Sequence, residues 1–242
     1  MVTYSLHGGH NAMVQGANWG NRKEHIMDRQ VKDAVAAKLR ALGHTVYDDT
    51  DETGATQPQN LSNIVRNCNS HDVDLVISFH LNAYNGTADG VEVCYYDQYD
   101  LATKVSAQLA TDIGWKNRGA KERKELYVLA HTKAPAILIE LGFIDNDIDM
   151  TKWNVDKIAN AIVYALTGQS ISKDSVQPVN NGVGVVTIIA DVLRVRTGPG
   201  INYEIVKKVY RGERYQSWDI QNGWYNVGGN QWVSGEYVRF EG

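Results

Sequence analysis

Two nearly uninterrupted apolar segments constrain the fold of this chain more than any other feature of its sequence. They occupy residues 75–79 (Leu-Val-Ile-Ser-Phe) and 136–139 (Ala-Ile-Leu-Ile). A strand with one face in solvent alternates apolar and polar residues, whereas a strand of a parallel sheet is covered on both faces and is apolar throughout. The two segments therefore predict central strands of a parallel sheet with helices on each face.

Amphipathic segments separate these strands along the chain. Apolar residues recur at helical spacing in residues 23–42, 61–69, 101–113 and 155–166, which predicts four helices. Three further strands are predicted at residues 2–6, 44–47 and 91–96. Alternation of strands and helices indicates an α/β fold, here a mostly parallel twisted sheet with helices on both faces.

The pattern changes after residue 167. Residues 168–182 are polar, rich in turn-forming residues and without periodicity, which predicts a flexible linker. The remaining residues, 183–242, hold 9 of the 22 aromatic residues. Seven short strands are predicted there, at residues 184–190, 193–196, 205–209, 214–220, 223–227, 231–234 and 237–240. We therefore predict an α/β domain at residues 1–167, a linker, and a small all-β barrel at residues 183–242.

The charge distribution argues against nucleic acid as a partner. The net charge is −4, and it is spread as 16 basic against 21 acidic residues in 1–167 and 7 against 6 in 183–242. Neither part contains the basic stripe that neutralises phosphates. No apolar run approaches 18 residues, which argues against insertion into a membrane. The sequence contains no pattern that specifies an oligomeric state.

The two cysteines, Cys68 and Cys94, are too few for a disulfide framework. One lies in a predicted helix and the other in a predicted strand, and neither opens a helix beside a histidine. Both positions favour a buried thiol over a catalytic nucleophile.

Ionisable residues follow the predicted strands at the sheet edge where ligand sites form. The first strand leads into His7 and His10, and the two buried strands end on His80 and Glu140, while Glu24 opens the first long helix. Taken singly, each has an ordinary structural explanation, such as a hydrogen-bonded loop histidine or a carboxylate at a helix start. Together, two imidazoles and a carboxylate form the donor set of a catalytic zinc ion, with a further carboxylate as general base. Their spacing alone is weak support, because it forms no local motif.

A family resemblance strengthens this interpretation. It is carried by Gly9-His10, by Glu24, and by the segments at residues 74–83, 117–121, 126–129 and 135–144. On these segments, residues 1–167 resemble the zinc-dependent N-acetylmuramoyl-L-alanine amidases of the amidase-3 type, which occur in bacterial autolysins and phage endolysins. The family's usual Asp-Pro-Gly-His-Gly-Gly reads here as Leu-His-Gly-Gly-His-Asn at residues 6–11. This departure leaves His7 beside His10 as a second candidate.

The resemblance implies a site and a reaction. His10, Glu24 and His80 would bind one Zn²⁺ ion, with His10 preferred over His7 because it follows a glycine as in the family, and Glu140 would be the catalytic carboxylate. Zinc-activated water would cleave the amide between N-acetylmuramic acid and the L-alanine of the stem peptide in peptidoglycan. Two alternatives stay open, a zinc peptidase that cuts the stem peptide or cross-bridge and a non-catalytic wall-binding protein.

Residues 183–242 resemble bacterial SH3-like (SH3b) wall-binding domains. The resemblance is carried by residues 193–200 (Leu-Arg-Val-Arg-Thr-Gly-Pro-Gly), 212–213, 223–225 and 232–233, and by Tyr203. It implies a module that binds peptidoglycan, and Tyr203, Trp218 and Trp232 are the candidate contacts, although half or more of the aromatic residues are expected in the barrel core.

The N-terminal residues lack the basic region and apolar stretch of a signal peptide. We therefore expect a phage endolysin that is made in the host cytoplasm and acts on the wall after the membrane is opened. A bacterial autolysin whose leader is missing from the sequence is the alternative.

Overall fold

The computed structural model describes residues 1–169, 182–201, 203–221 and 223–241. The chain divides into two compact units, Met1–Val176 and Gln177–Gly242. Most of the predicted linker, residues 170–181, lies outside the described residues.

The first unit alternates strands and helices, as the sequence predicts. Its strands are β1 (Thr3–Gly8), β2 (Asn18–Trp19), β3 (Arg22–Lys23), β4 (Thr45–Asp48), β5 (Leu75–Asn82), β6 (Val91–Tyr95), β7 (Asn117–Glu122) and β8 (Ala136–Phe143). Its helices are α1 (Glu24–Ala41), α2 (Gln57–Cys68), α3 (Tyr99–Ile113), α4 (Tyr127–His131), α5 (Asp147–Thr151) and α6 (Val155–Thr167). Six strands form one sheet in the order β4-β1-β5-β8-β6-β7, and β2 pairs with β3 in a separate hairpin.

The sheet is parallel over β4, β1, β5 and β8, but β6 runs antiparallel to β8 and β7 runs parallel to β6. The connection explains the reversal. Only residues 83–90 join β5 to β6, whereas a parallel return needs a crossover of about a dozen residues or more. The prediction of a mostly parallel sheet is therefore confirmed, with its last two strands reversed.

Helices cover both faces of the sheet. Ile77 and Ile139 pack in one core with side chains of α1, α3 and α6. Val76 and Leu138, one residue earlier on each strand, pack in a second core with side chains of α2 and α4. Successive residues of a strand point to opposite faces, so a strand that is apolar at every position supplies both cores.

Local signals account for the helix starts and for the elements that the sequence pattern missed. Helix α2 begins four residues before its predicted start, because the Thr56 hydroxyl accepts a hydrogen bond from the Gln59 N–H (3.4 Å) and Pro58 lies in the first turn. Strand β7 reads Asn-Arg-Gly-Ala-Lys-Glu and lies at the sheet edge. Its residues are half-buried or exposed, so it lacks the apolar alternation that would identify it.

The second unit is all-β among its described residues. Its strands are β9 (Val183–Ile188), β10 (Val192–Arg196), β11 (Ile205–Tyr210), β12 (Arg214–Gln221), β13 (Trp224–Asn226), β14 (Trp232–Ser234) and β15 (Val238–Glu241). They match the seven predicted strands within two residues at each end, and they pair antiparallel in the order β11-β10-β14-β13-β12-β9-β15. The core contains Val186, Ile188, Val195 and Val233.

Among the described residues, no helix combines the length and the apolar character needed to cross a membrane.

Candidate metal centre

His10, Glu24 and His80 come together from three separate elements of the first unit. One donor atom of each lies within 4.8 Å of the others. His80 Nδ1 is 3.0 Å and His10 Nε2 is 3.5 Å from Glu24 Oε1. The loop after β1 carries His10, the first position of α1 carries Glu24, and β5 carries His80. In the sequence Glu24 lies 14 positions after His10 and 56 positions before His80. The three side chains nevertheless form one cluster, as the resemblance implies.

Backbone amides fix the Glu24 carboxylate in this cluster. Oε1 accepts a hydrogen bond from the Leu81 N–H (3.0 Å) and Oε2 accepts one from the Ala17 N–H (2.6 Å). The residue is 3% exposed. Burial alone would raise the pKa of Glu24, but the hydrogen bond and charge of His80 hold it below its usual value. The carboxylate is therefore an anion in a fixed orientation, as a metal ligand requires.

The loop that carries His10 is fastened by buried polar contacts. The Gly9 N–H donates to the Phe79 carbonyl (2.9 Å) and to Asp28 Oδ2 (3.1 Å), and the Asn60 amide donates to the Gly9 carbonyl (2.8 Å). The Arg29 guanidinium donates to the carbonyl of His10. These contacts hold the turn directly against β5, which carries His80.

Two glycines allow the ligands to approach each other. A Cβ at Gly9 would overlap the His80 ring, and a Cβ at Gly16 would overlap Glu24 Oε2 and the His10 ring. Gly16 also has a φ of 69°, which side chains rarely adopt. The backbone thus wraps closely around the three donor groups at positions where any larger residue would displace them.

The donor set fits a zinc ion. Two imidazoles and a carboxylate are the protein ligands of His₂Glu catalytic zinc sites. The pKa of His10 is lowered to about 4, mainly by burial, so its ring is neutral and offers a lone pair. Burial would also lower the pKa of His80, but Glu24 raises it to about 9. His80 thus holds a proton, and with it a positive charge, beside the Glu24 carboxylate. A metal cation can replace that proton.

Glu140 lies beside this cluster on the neighbouring strand. It is the register partner of His80 in the β5–β8 pair, where strands are about 4.8 Å apart. The carboxyl oxygen Oε2 is buried and has no hydrogen-bond partner among the described residues. Burial, reinforced by the charges of Glu24 and Glu92 and opposed by His80, raises the pKa of Glu140 to about 7. A carboxyl group in this state can accept and return a proton near neutral pH.

His7, the second candidate for the histidine ligand, does not join the cluster. It is fully buried in β1, and its Nδ1 lies 3.3 Å from the Gly8 carbonyl. Burial lowers its pKa to about 3. The structure thus brings His10, and not His7, together with Glu24 and His80.

Both cysteines are free and buried, as the sequence suggests. Burial raises the pKa of Cys68 and of Cys94 to about 12. Both groups are therefore protonated thiols at neutral pH, a poor starting point for nucleophilic attack.

Sequence reasoning missed the residues that support the site. Asp28 is fully buried beneath the Gly8–Gly9 turn, and burial raises its pKa to about 7. Glu92 is the register partner of Glu140 on β6 and accepts a hydrogen bond from Arg118 Nε (2.7 Å). In the sequence, Asp28 is marked only as a carboxylate within an amphipathic helix and Glu92 only as a carboxylate within an apolar strand. Neither pattern reveals which groups the side chain faces.

The three candidate wall-binding residues differ in exposure. Tyr203 is 47% exposed and Trp218 is 61% exposed, whereas Trp232 is only 6% exposed. The Tyr203 ring packs against Gly198 of the Thr-Gly-Pro-Gly turn, and its carbonyl accepts a hydrogen bond from Arg196 (2.7 Å). Trp232 has little surface to offer a ligand, so Tyr203 and Trp218 are the better candidates.

Comparisons with known proteins agree with this geometry. A family model described as N-acetylmuramoyl-L-alanine amidase matches residues 6–169. The chain is 29% identical over 175 residues to the uncharacterized protein YqiI of Bacillus subtilis (strain 168), an alignment that covers 68% of this chain and 82% of YqiI. It is 29% identical over 166 residues to N-acetylmuramoyl-L-alanine amidase LytC of the same organism, with 64% of this chain and 32% of LytC covered.

Among solved structures, the first unit is similar to the catalytic domain of the CD27L endolysin targeting Clostridia Difficile. The sequences are 31% identical, the match covers 71% of this chain and 100% of that domain, and the TM-score is 0.65. These likenesses support amidase activity on the cell wall, with peptidoglycan as the substrate class. The family model covers nearly all of the α/β unit, and the chain therefore belongs to the N-acetylmuramoyl-L-alanine amidase family.

Proposed function

We propose that this chain is a zinc-dependent amidase that hydrolyses the bond between the lactyl group of N-acetylmuramic acid and the L-alanine of the stem peptide. One observation carries the proposal, the convergence of His10, Glu24 and His80 beside Glu140, whose carboxyl oxygen Oε2 is buried. A non-catalytic scaffold would have no need to retain this donor set next to a carboxyl group whose pKa is raised to about 7.

His10, Glu24 and His80 would hold the zinc ion. When bound, zinc supplies Lewis-acid chemistry that polarises the scissile carbonyl group and makes water nucleophilic at neutral pH. Asp28 and Asn60 keep the His10 loop in place by accepting from the Gly9 N–H and donating to the Gly9 carbonyl. The ligands thus stay at a fixed distance from each other without any substrate.

Glu140 would carry the proton through the reaction. Its carboxylate accepts a proton from the attacking water as the new C–O bond forms, and the resulting acid then donates that proton to the alanine nitrogen as the C–N bond breaks. The products are a lactyl carboxylate and a free amine. A pKa raised by burial to about 7 suits both halves of this transfer.

We further propose that the second unit is an SH3-like module that binds the cell wall, with Tyr203 and Trp218 as contacts. Both side chains are well exposed, and aromatic rings pack on sugar or peptide faces with little loss of conformational entropy. A tethered binding module raises the concentration of the amidase at its substrate. The similarity to an endolysin catalytic domain supports a role in phage lysis, which would place the protein at the wall after the membrane is opened.

The test is digestion of purified cell walls, followed by mass spectrometry of the released fragments. An amidase releases intact stem peptides with a free L-alanine amine, whereas a peptidase leaves alanine on the glycan. Chelation is expected to abolish the activity and zinc to restore it.

The matched variant is Glu140→Gln, which keeps the size of the side chain but cannot accept a proton. We expect it to bind zinc as the wild type does and to lose about 10²- to 10⁴-fold in kcat. Wild-type activity in this variant, or fragments with cleavage only inside the peptide, would overturn the proposal.

A further inference from the structure

A groove on the second unit carries a concentration of positive charge that its fold does not explain. Arg194, Arg196 and Lys208 line it, with the aromatic rings of Trp224 and Tyr237 beside them. Glu236 is the acidic residue of this lining. The groove therefore has an excess of cations, although the whole chain has a net charge of −4. These cations come from two neighbouring strands, so they form no basic stripe along the sequence.

Two of these cations face each other directly. Arg194 on β10 is the register partner of Lys208 on β11 in an antiparallel pair, and both side chains are exposed. Like charges in such a position destabilise a sheet, because their side chains lie about 5 Å apart. Neither side chain makes an ion pair or a hydrogen bond with the described residues of the chain.

Other arginines of the same unit are neutralised. Arg211 pairs with Asp191 (2.7 Å) and Arg214 pairs with Glu241 (2.8 Å). The contrast indicates that acidic partners are present on this surface but are not placed against the Arg194–Lys208 pair. A cost to folding without a compensating contact is typical of a binding site.

The spacing of the cations fits a repeating anion. Arg194 and Arg196 are two residues apart on β10 and share a face, so they lie about 7 Å apart along the strand. Lys208 adds a third charge about 5 Å to the side. A single carboxylate needs one arginine, whereas a row of three cations can hold successive charges of one polymer. Guanidinium groups also match the oxygen geometry of phosphate.

We infer that this groove binds a phosphodiester-linked anionic polymer of the bacterial cell wall, with Arg194 and Lys208 as its principal contacts. Trp224, which is half-buried, and Tyr237, which is 47% exposed, cover the uncharged part of each repeat. The inference rests on the proposed wall-binding role of the second unit and assigns that role a ligand. Stem-peptide carboxylates are the competing occupant.

The experiment uses the full chain and soluble poly(glycerol phosphate) as the probe, with affinity measured by titration calorimetry at several salt concentrations. We expect the double variant Arg194→Gln, Lys208→Gln to bind about tenfold more weakly or worse and to show a smaller salt dependence. The control Arg211→Gln removes another exposed arginine of the same unit, one that does not line the groove, and should bind as the wild type does.

Thermal unfolding of the same proteins separates binding from folding. Removing the facing like charges should leave the Tm of the double variant unchanged or raised, so weaker binding cannot be ascribed to a damaged fold. A second arm compares sedimentation with walls before and after hydrofluoric acid, which cleaves phosphodiesters and leaves peptidoglycan. Binding is expected to fall after this treatment.

Equal affinity of the double variant and the wild type for the polymer would overturn the inference. So would unchanged binding to acid-treated walls, which would favour stem-peptide carboxylates. These failures differ from failure of the proposed function. If the wild type binds no walls at all, the targeting role is wrong, and if it cannot cleave a soluble muropeptide, the amidase proposal is wrong. The double variant should cleave that muropeptide at the wild-type rate.

Discussion

Replacing Gly9 with alanine tests whether the close approach of the His10 loop to His80 is required for the metal site. The Cβ of an alanine at this position would overlap His80 Cε1 and Nε2 and would lie 2.5 Å from Nδ1, whereas ordinary van der Waals contact begins at 3.4 Å. One of the two groups must therefore move by more than about 1 Å, and a displacement of about that size already costs roughly a hundredfold in a preorganised site. The loop cannot retreat easily, because the Gly9 N–H is bonded to both Phe79 and Asp28.

We therefore expect Gly9→Ala to lower zinc affinity and amidase activity by about a hundredfold. Gly8→Ala is the matched control, because it adds the same methyl group to the same turn. Its Cβ would meet Asp28 Oδ2 at 3.1 Å and Arg29 Cγ at 3.3 Å, and not His80, so shifts of a few tenths of an ångström accommodate it.

Zinc affinity is measured by competition with a coloured chelator, and circular dichroism of the metal-free proteins checks that both variants fold. Wild-type zinc affinity in Gly9→Ala would refute the reasoning, as would equal losses in the two variants.

The remaining predictions concern the buried His7 and two tryptophans of the second unit, all outside the ligand set. The pKa of His7 is 6.5 in the unfolded chain, and burial lowers it to about 3 in the folded chain. Between these two pH values the unfolded state binds more protons than the folded state. His7 therefore reduces the free energy of unfolding as the pH falls, by up to about 1.4 kcal/mol per pH unit. His7→Gln should therefore gain stability relative to the wild type between pH 6.5 and 4 in urea unfolding, and a constant difference would contradict the assigned burial. In the second unit, Trp218→Ala should weaken sedimentation with cell walls and leave the Tm unchanged, because its ring is 61% exposed. Trp232→Ala should instead destabilise the unit by about 3 kcal/mol, because the ring is 6% exposed; the opposite pattern would make Trp232 the binding residue.

The sequence pattern predicted the fold best where burial is complete. The apolar segments inside β5 and β8, and the short strands of the second unit, lie within one or two residues of their predicted starts. The sequence pattern did not predict elements that are short or polar. Strand β7 has no buried residue, and α4 and α5 have five residues each, which is too few for a helical period to be recognised.

For the site, the pattern placed polar groups at strand ends but did not choose among them. His7 and His10 are separated by two glycines in sequence, and only the family resemblance favoured His10. The structure shows the physical difference between them. His7 is a residue of β1 and is enclosed within the sheet, whereas His10 lies beyond the strand, where the loop turns back over β5 towards Glu24.

The sequence by itself determined which segments are strands and helices, because apolar periodicity reflects which faces are buried, and each residue contributes to it locally. It also predicted the run of short strands after residue 182. Only the tertiary structure decided which distant groups meet. Strand β5 lies between β1 and β8 in the sheet although β4 and β6 are its neighbours in the chain, and this order places His80 beside both the His10 loop and Glu140. Strand order depends on how all the helices pack at once, and no local stretch of sequence records it.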